Sequence, residues 1–491
     1  MCRNLVALTF WTACRHQCGR LPLKAKSRPI SKTINWSWNT IGDNNIMDDI
    51  GLRNTRGADG GAAPTRASAG ERARKTKSIA AITIGNGIEF FDFTTYSFFA
   101  PIIGKLFFPT GDHLTQLLLA AASFGIGFIT RPLGGLVIGA YADRAGRKAA
   151  MNLTLTLMAI GSALIAFAPT YATAGLAAPV LILGARLLQG FALGGEVGSA
   201  TTLLMEFGGD RKRGLYGSFQ ILSQGINTVC GALLAVTLST LLSQDALESW
   251  GWRVPFVIGV AAGLVAIYIR RNLRETLPEA VDSEAIELSK PIKDVFKNHS
   301  KGLTIGILTT IGGTAANYIV VYYIASYAVQ VLNFPMSLSL WAPVAAAAIM
   351  VVCAPIAGIL SDRIGRKPVL AVSRLLLIAA IYPAFMLIHA IPTLFVLVSV
   401  CTVLAILSTF TIVPGLVLQP ELFPRTVRVT GMSIVYCTGA SIFGGFAQFF
   451  ATLLIQLSGN VFSPAWYLIG CGLLSLTPLP FMKETAGRPI D

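Results

Sequence analysis

The segment Gly139-Ala-Tyr-Ala-Asp143-Arg144-Ala-Gly146-Arg147-Lys148 recurs later in the chain as Gly358-Ile-Leu-Ser-Asp362-Arg363-Ile-Gly365-Arg366-Lys367. The aspartates of the two copies are 219 positions apart (362 − 143), and long apolar stretches lie on both sides of each copy. A repeated unit of this length predicts one membrane-embedded bundle that has been duplicated and fused. Duplicated bundles of this kind are typical of carriers that work by alternating access.

The composition excludes a soluble globular protein. Hydrophobic residues make up 53% of the 491-residue chain and charged residues only 13%, and the mean hydropathy is +0.63. Apolar runs of about twenty residues, the length that a helix needs to cross a bilayer, recur from residue 78 onwards. These features predict a multi-spanning protein whose surroundings are the lipid bilayer.

Apolar runs bounded by charged residues, Gly or Pro predict twelve helices, six in each half of the duplication. The predicted fold class is therefore an all-α membrane protein with twelve transmembrane helices in two pseudo-symmetric six-helix bundles. The predicted spans lie near 79–107, 116–141, 150–170, 178–206, 214–243, 253–272, 303–328, 337–360, 368–389, 393–419, 430–457 and 464–482.

The charge pattern predicts tails and a linker around the two bundles. The formal net charge is +15, and +9 of it lies in residues 1–77, which contain 14 Lys or Arg and 5 Asp or Glu (14 − 5). We therefore predict no nucleic-acid partner. Met47 is a plausible alternative start, so residues 1–46 would then be a start-site artefact. The predicted organisation is a disordered basic tail at 1–77, bundles at 78–274 and 301–484, a linker at 275–300 and a short tail at 485–491.

Basic residues in the short loops predict the orientation in the membrane. Loops after the second, fourth, eighth and tenth spans are basic, whereas the opposite face has little beyond Lys105 and Arg253. The positive-inside rule then places both termini in the cytoplasm, which agrees with an even number of spans.

Enzymes and metal proteins are not indicated. The eight cysteines form no framework, and Cys14, His16 and Cys18 lack a second pair of metal ligands. No nucleophile–base pair and no phosphate-binding glycine loop occurs outside the apolar spans. We predict no cofactor and no bound metal.

Four ionisable residues are predicted at one depth in the first bundle: Glu89, Asp92, Arg131 and Glu196. At 1.5 Å per residue each lies roughly 15–20 Å from the nearest end of its span, close to the bilayer midplane. A charge that faced lipid there would cost several kcal/mol, so these side chains are expected to face one another or a wet cavity. The second half differs, because its one intramembrane charge, Arg374, is expected close to the cytoplasmic side.

Polar side chains at helical spacing predict lining positions beside these charges. For the stripe of the seventh span, hydrogen bonding and packing between helices is an equally good explanation. The predicted stripes are Asn86, Glu89, Asp92 and Tyr96 in the first span, Gln189 and Glu196 near Arg186 in the fourth, Gln220, Gln224 and Asn227 in the fifth, and Asn317, Tyr318 and Tyr322 in the seventh.

The two Gly-x-x-x-Asp-Arg-x-Gly-Arg-Lys copies resemble the signature loop of the major facilitator superfamily. Further motifs between residues 78 and 484 resemble its metabolite:proton symporter branch, which implies proton-coupled uptake by a protein that is usually monomeric. Gly175–Pro179 and Ser463–Trp466 look closest to citrate and tricarballylate proton symporters, while other members of the branch carry proline or betaine. The branch motifs are Gly85–Phe93, Arg131–Gly135, Arg186–Glu196, Trp250–Phe256, Glu421–Pro424 and Ile442–Gly445.

The expected mechanism gives the intramembrane charges different roles. Arg131 is the favoured anchor for an organic anion, because a guanidinium binds a carboxylate bidentately. Glu89, Asp92 and Glu196 are the candidates for proton coupling, although a permanent ion pair with Arg131 remains an alternative. Arg186 is a candidate for attracting anions, for proton transfer or for a structural pair. A solute sensor built like a transporter is the competing function.

The repeated motif is expected to form a charged gate at the cytoplasmic rim, where its glycines let helices approach closely. Simple compliance with the positive-inside rule is the alternative explanation for its cations. The predicted gate residues are Gly139, Asp143, Arg144, Gly146, Arg147, Lys148, Glu206, Asp362, Arg363, Gly365, Arg366, Lys367, Glu421 and Arg425.

Overall fold

A computed structural model describes residues 79, 82–83, 85–87, 90–145, 147–194, 196–272 and 289–489. The predicted tail at 1–77 and most of the predicted linker lie outside these residues, as do Glu89 and Gly146. The side chains of Gly139, Asp143, Arg144, Arg147, Lys148 and Glu196 also lie outside the described part of the chain.

Within the described residues the chain is helical and contains no strand. Each of the twelve predicted spans coincides with a helix, which confirms the predicted fold class. The helices are α1 (90–98 and Ala100–Phe107), α2 (His113–Ile129 and Arg131–Ala145), α3 (Arg147–Ala166), α4 (Ala177–Leu193 and Glu196–Gly208), α5 (Arg213–Leu241), α6 (Val254–Asn272), α7 (Ser300–Asn317, Tyr318–Tyr323 and Ile324–Val331), α8 (Trp341–Ile364), α9 (Arg366–Ala390), α10 (Leu394–Glu421), α11 (Arg428–Gly439, Ala440–Gly445 and Ala447–Ser458) and α12 (Ser463–Leu476).

Local sequence explains where several helices begin and end. The side chain of Asp112 accepts hydrogen bonds from the backbone N–H groups of Leu114 and Thr115 and so caps α2. Between α8 and α9 the chain reverses at Gly365, whose φ of 110° suits a residue without a side chain. The second glycine of the repeated motif is therefore the hinge of a one-residue connection.

The contacts between the two halves follow the duplication. Helix α2 packs on α11, and α5 packs on α8. A shift of six helices converts the first pair into the second, because α2 corresponds to α8 and α5 to α11. The same helix faces therefore join the halves twice, once on each side of the pseudo-symmetry axis.

Segments of π-helix, Tyr318–Tyr323 in α7 and Ala440–Gly445 in α11, interrupt two helices of the second half. Both segments face α2: the ring of Tyr318 meets that of Phe128 at 5.6 Å between centroids, and a Cβ on Gly445 would overlap the same phenyl ring. Such wide turns are frequent at functional sites. The irregular turns therefore lie on the surface where the halves meet.

Glycines bring the backbones of α2 and α4 into contact. A Cβ on Gly190 would overlap the carbonyl oxygen of Gly127, and a Cβ on Gly194 would overlap that of Arg131. Small residues of this kind permit close helix approach in membranes. Helices α2 and α4 are consequently in backbone contact at Arg131 itself.

We expect Gly190→Ala to lower the unfolding temperature in detergent, because inserting a methyl group into a packed contact costs about 1–3 kcal/mol. Gly184→Ala is the matched control, since this glycine lies on the same helix and a Cβ added to it would meet no atom within 4 Å. The control should be unchanged or slightly more stable. Equal unfolding temperatures for the two variants would contradict the close approach.

Candidate functional site

A narrow cavity lies between the halves, with about 520 Å³ of non-atom space when the part open to solvent is included, and we call it the central cavity. Helices α1 and α5 of the first half contribute Phe90, Ile221 and Gln224. The second half contributes Thr309, Thr310, Gly313, Thr314, Asn317, Tyr318, Tyr322, Arg374, Thr411, Ile412, Gly415, Leu416, Gln419 and Tyr436. Four of the predicted polar residues, Gln224, Asn317, Tyr318 and Tyr322, thus line one cavity.

The second half provides most of the polar surface of the central cavity. The Gln419 side-chain amide donates to Thr310 Oγ1 at 2.9 Å, while its carbonyl oxygen has no partner among the described residues. The hydroxyl groups of Tyr322 and Thr228 lie 3.3 Å apart, which joins α7 to α5 across the two halves. The cavity wall therefore contains a free amide acceptor beside aromatic hydroxyl groups.

Other predicted polar residues bond to one another rather than lining the central cavity. Gln220 Nε2 donates to Asn86 Oδ1 at 2.8 Å, and Asn86 Nδ2 donates to Ser223 Oγ at 2.6 Å. Asn227 Nδ2 donates to the Ser223 carbonyl oxygen of its own helix at 2.8 Å. This network joins the segment 85–87, which precedes α1, to α5.

Asp92 lies inside the first half with its side chain buried. One carboxylate oxygen accepts a hydrogen bond from Ser162 Oγ of α3, and Gln189 Nε2 of α4 donates to the same hydroxyl at 3.0 Å. The other oxygen has no hydrogen-bond partner in the described part of the chain. The Asp92 carboxylate therefore keeps a free position on which a proton can reside.

Arg186 is fully buried and interacts electrostatically with Asp92. Its guanidinium carbon lies 3.6 Å from the ring centroid of Tyr96, a cation–π distance. The Tyr96 hydroxyl is hydrogen-bonded to Ser123 Oγ. Asp92, Tyr96, Gln189 and Arg186, all predicted site residues, thus form one cluster within the first half.

Arg131 occupies a different environment, at the boundary between the halves. Its guanidinium carbon lies 3.8 Å from the ring centroid of Phe128. The guanidinium interacts with the hydroxyl groups of Tyr318 and Tyr436 and has no carboxylate partner among the described residues. The side chain borders a second cavity, too narrow to hold a water molecule in this state, together with Ser433, Tyr436 and Cys437. The predicted meeting of Arg131 with Glu89 and Glu196 stays a prediction, since those two carboxyl groups lie outside the described residues.

Charged side chains close the end of the molecule that carries the repeated motif, and we call Arg213, Asp362, Arg366 and Glu421 the latch. The Asp362 carboxylate accepts hydrogen bonds from the backbone N–H groups of Gly214 and Leu215 at 2.8 and 2.9 Å, at the beginning of α5. Glu421 lies 3.2 Å from both Arg213 and Arg366. Second-half carboxylates thus hold the first-half helix α5.

The other described gate residues surround the latch. Glu206, Arg363 and Arg425 are exposed, and the charge of Glu206 interacts with that of Arg428. Lys367 Nζ donates to the Met482 carbonyl oxygen at 3.4 Å.

The chain after α12 adds to the latch, although no sequence signal marked it. The Glu484 carboxylate accepts from the backbone N–H groups of Arg366 and Lys367 at 2.8 and 3.0 Å. Arg213 donates to the Arg488 carbonyl oxygen at 2.6 Å, and the Thr485 hydroxyl donates to Glu421. This terminal segment therefore contacts both halves.

We expect Glu484→Gln to destabilise the protein equally at about pH 5.5 and about pH 7.5. Burial raises the pKa of Glu484, but backbone N–H donors led by Ala486, Arg366 and Lys367 outweigh it and hold the pKa below its usual 4.5. A carboxylate with a lowered pKa contributes stability above its unfolded-state pKa and loses it only as the pH falls through the lower, folded-state value. Unfolding temperatures at the two pH values test this, and a difference between variant and wild type that vanishes at the lower pH would contradict it.

Comparison with known proteins places this geometry in a family. The profile described as Major Facilitator Superfamily matches residues 82–447 and 338–486. The chain belongs to this superfamily. It is an integral membrane transporter and not an enzyme, because its curated relatives and structural neighbours in the superfamily are transporters.

Curated relatives of similar length carry different solutes. The chain is 33% identical over 427 residues to the "Glycine betaine/proline/ectoine/pipecolic acid transporter OusA" of Dickeya dadantii, covering 85% of each chain. It is 33% identical over 419 residues to the "Citrate-proton symporter" of Klebsiella pneumoniae, covering 84% of this chain and 94% of the relative. The fold resembles a partially occluded, inward-open structure of the xylose transporter XylE from E. coli, with a TM-score of 0.68 at 16% identity, covering 85% of this chain and 100% of that one.

Several lining residues escaped the sequence analysis. Arg374 was expected close to the cytoplasmic side, whereas it borders the central cavity from α9. Gln419 and Tyr436 stand alone in apolar runs, where no stripe marks them. Ser162 could not be distinguished from the other hydroxyl residues of apolar helices, because only the structure shows its contact with Asp92. For Arg374 a signal existed: it lies eight residues inside α9, about 12 Å from the end of the helix.

Proposed function

We propose that this superfamily member is a proton symporter that imports a small organic anion by alternating access, with a di- or tricarboxylate such as citrate as its substrate. The charge of the central cavity carries the proposal. Among its described lining residues there is a cation, Arg374, and no carboxylate. Buried arginines without carboxylate partners are suited to an anionic ligand. A relative that is named as a citrate-proton symporter supports the same substrate class.

In the proposed coupling, Asp92 carries the transported proton and Arg186 controls when it can do so. A desolvated carboxyl group favours its protonated form, whereas a nearby guanidinium favours the ionised form. A shift of Arg186 towards or away from Asp92 therefore changes the proton affinity of Asp92. Glu89 and Glu196 are proposed as further proton-coupling residues.

The substrate is proposed to bind between the halves. Arg131 anchors it from the first half, and Gln224, Asn317, Tyr318 and Tyr322 supply hydrogen bonds. On the first-half side of this site, the segment before α1 is held against α5 by Asn86, Gln220 and Asn227. Tyr96 and Gln189 connect the site to Asp92.

The latch is proposed to be the cytoplasmic gate, and the Gly139–Lys148 motif to belong to the same rim. The protein is proposed to act as a monomer in the inner membrane with both termini in the cytoplasm. The proposed organisation remains a bundle at 78–274, a linker at 275–300 and a bundle at 301–484.

A zwitterionic osmolyte such as proline or betaine is the second candidate substrate. The central cavity includes Phe90, Tyr318, Tyr322 and Tyr436, whose ring faces can hold a quaternary ammonium group. The relative from Dickeya dadantii is named for glycine betaine and proline. This candidate requires the ammonium group to tolerate the positive charge of Arg374.

Uptake by purified protein in proteoliposomes separates the candidates. We expect an inwardly directed proton gradient to drive accumulation of citrate or tricarballylate, and betaine to be ignored. If the protein accumulates betaine but neither citrate nor tricarballylate, the second candidate replaces the first. Equal uptake with and without the proton gradient would contradict symport.

A further inference from the structure

Arg374 is a buried cation whose guanidinium is only partly satisfied. Its side chain is 1% exposed, and Nη1 and Nη2 donate to the carbonyl oxygens of Ser475 and Thr309 at 2.9 and 3.0 Å. Because a guanidinium has five N–H donors, three remain, and Nε has no partner among the described residues. Arg374 thus ties α7, α9 and α12 together and still borders the central cavity with unused donors.

A cation in this position is costly without an anion. Two carbonyl dipoles compensate part of the desolvation of Arg374, but no carboxylate lies within ion-pair distance of it in the described part of the chain. A buried charge that lacks a counter-ion is strongly unfavourable. A carboxylate that entered the cavity would satisfy the remaining donors.

The second half therefore repeats a feature that Arg131 provides from the first half. Arg131 is also 1% exposed, has no carboxylate partner among the described residues, and borders the second cavity. The residue that borders both cavities is Tyr436 of α11. Residues of both halves line each cavity, but the two arginines come one from each half, and the cavities meet at the Tyr436 side chain.

We propose that these two cavities form a divided site for a polycarboxylate, with one carboxylate on Arg131, another on Arg374 and the Tyr436 hydroxyl between them. The proposal rests on the proposed function and specifies its substrate: at least two negative groups on one small molecule. A monocarboxylate satisfies only one arginine. A zwitterion brings its ammonium group towards the other cation.

The divided site also gives the substrate a mechanical role. A molecule bound to α2 of the first half and α9 of the second half favours the state in which the halves are close together. A ligand shifts a conformational equilibrium only through its different affinity for the two states. The second carboxylate supplies that difference, so a polycarboxylate closes the carrier more effectively than a monocarboxylate does.

The test compares the affinity for tricarballylate with that for butyrate, each measured on purified protein as the concentration of acid that gives half of the maximal rise in unfolding temperature. We expect wild type to prefer tricarballylate at least tenfold, and Arg374→Gln to weaken tricarballylate binding about 10- to 100-fold with little change for butyrate. Arg253→Gln is the matched control, because Arg253 also donates to two backbone carbonyl oxygens, those of Ser249 and Ala168, but borders neither cavity. Its preference should remain that of wild type.

Each outcome decides between the divided site and its alternatives. A wild-type protein that binds both acids equally overturns the proposal without any variant, so a failure of Arg374→Gln to fold leaves it testable. An unchanged preference for tricarballylate over butyrate in a folded Arg374→Gln variant also overturns it. Arg374 would then only hold the backbones of α7 and α12 through its hydrogen bonds. Proton-driven citrate uptake in wild type shows in either case that the proposed function stands, whereas transport of betaine without citrate removes both.

Discussion

Asp92→Asn is expected to abolish proton-driven accumulation while exchange of substrate across the membrane continues. Asparagine keeps the size of the side chain and its contact with Ser162, but it cannot take up a proton. If one proton accompanies each substrate and the membrane potential is clamped, a gradient of one pH unit supports about tenfold accumulation, because one pH unit is 1.36 kcal/mol. The variant should accumulate nothing beyond equilibration, measured as labelled citrate in proteoliposomes.

Asp112→Asn is the matched control for this prediction. Asp112 is an exposed acid that caps α2, and asparagine is an equally good capping residue. The control should accumulate substrate as wild type does. Tenfold accumulation by Asp92→Asn would remove this residue from the coupling and leave Glu89 or Glu196 as the proton carrier.

Glu421→Gln is expected to open the latch. The Glu421 side chain is completely buried beside Arg213 and Arg366, so its neutralisation leaves those two buried cations with less negative charge than they need. Removing one partner of a buried ion pair costs about 3–5 kcal/mol, which corresponds to a change of roughly 100-fold or more in the ratio of closed to open molecules. The free energy of the closed state relative to the open state should rise by about 3–5 kcal/mol in the variant.

Thiol labelling measures the opening. In a chain whose native cysteines are replaced by serine, a cysteine placed at Thr314, which borders the central cavity, should react faster in the Glu421→Gln background with a membrane-impermeant maleimide added on the side of the latch. Neutralising Lys105 and Glu248 together is the control, because Lys105 is half-exposed and surface ion pairs contribute at most about 1 kcal/mol. Equal labelling in all three backgrounds would mean that the latch does not hold the closed state.

The sequence carried enough information to predict the fold because bilayer physics leaves few choices. A span must be apolar, about twenty residues long and helical, so the helix positions follow from composition. The duplicated motif then shows which helix of the first half corresponds to which helix of the second half. The structure explains the glycine of that motif at position 365, because the turn between α8 and α9 requires a positive φ at this residue.

The site was predictable only where polar residues form stripes. Asn86 and Gln220 belong to such stripes and their side chains are buried, but their mutual hydrogen bond depends on how the segment before α1 packs on α5. Arg374 and Glu484 were missed for a related reason. Their partners lie on distant segments: Arg374 donates to carbonyl oxygens of α7 and α12, and Glu484 accepts from the beginning of α9.

Proton movement that depends on substrate distinguishes a proton symporter from a carrier that moves citrate alone. Purified protein in proteoliposomes that contain a trapped pH-sensitive dye would receive citrate on the outside, with the membrane potential clamped and no initial pH gradient. We expect acidification of the lumen in step with citrate entry in wild type and none in Asp92→Asn. Citrate entry without acidification in wild type would contradict proton symport.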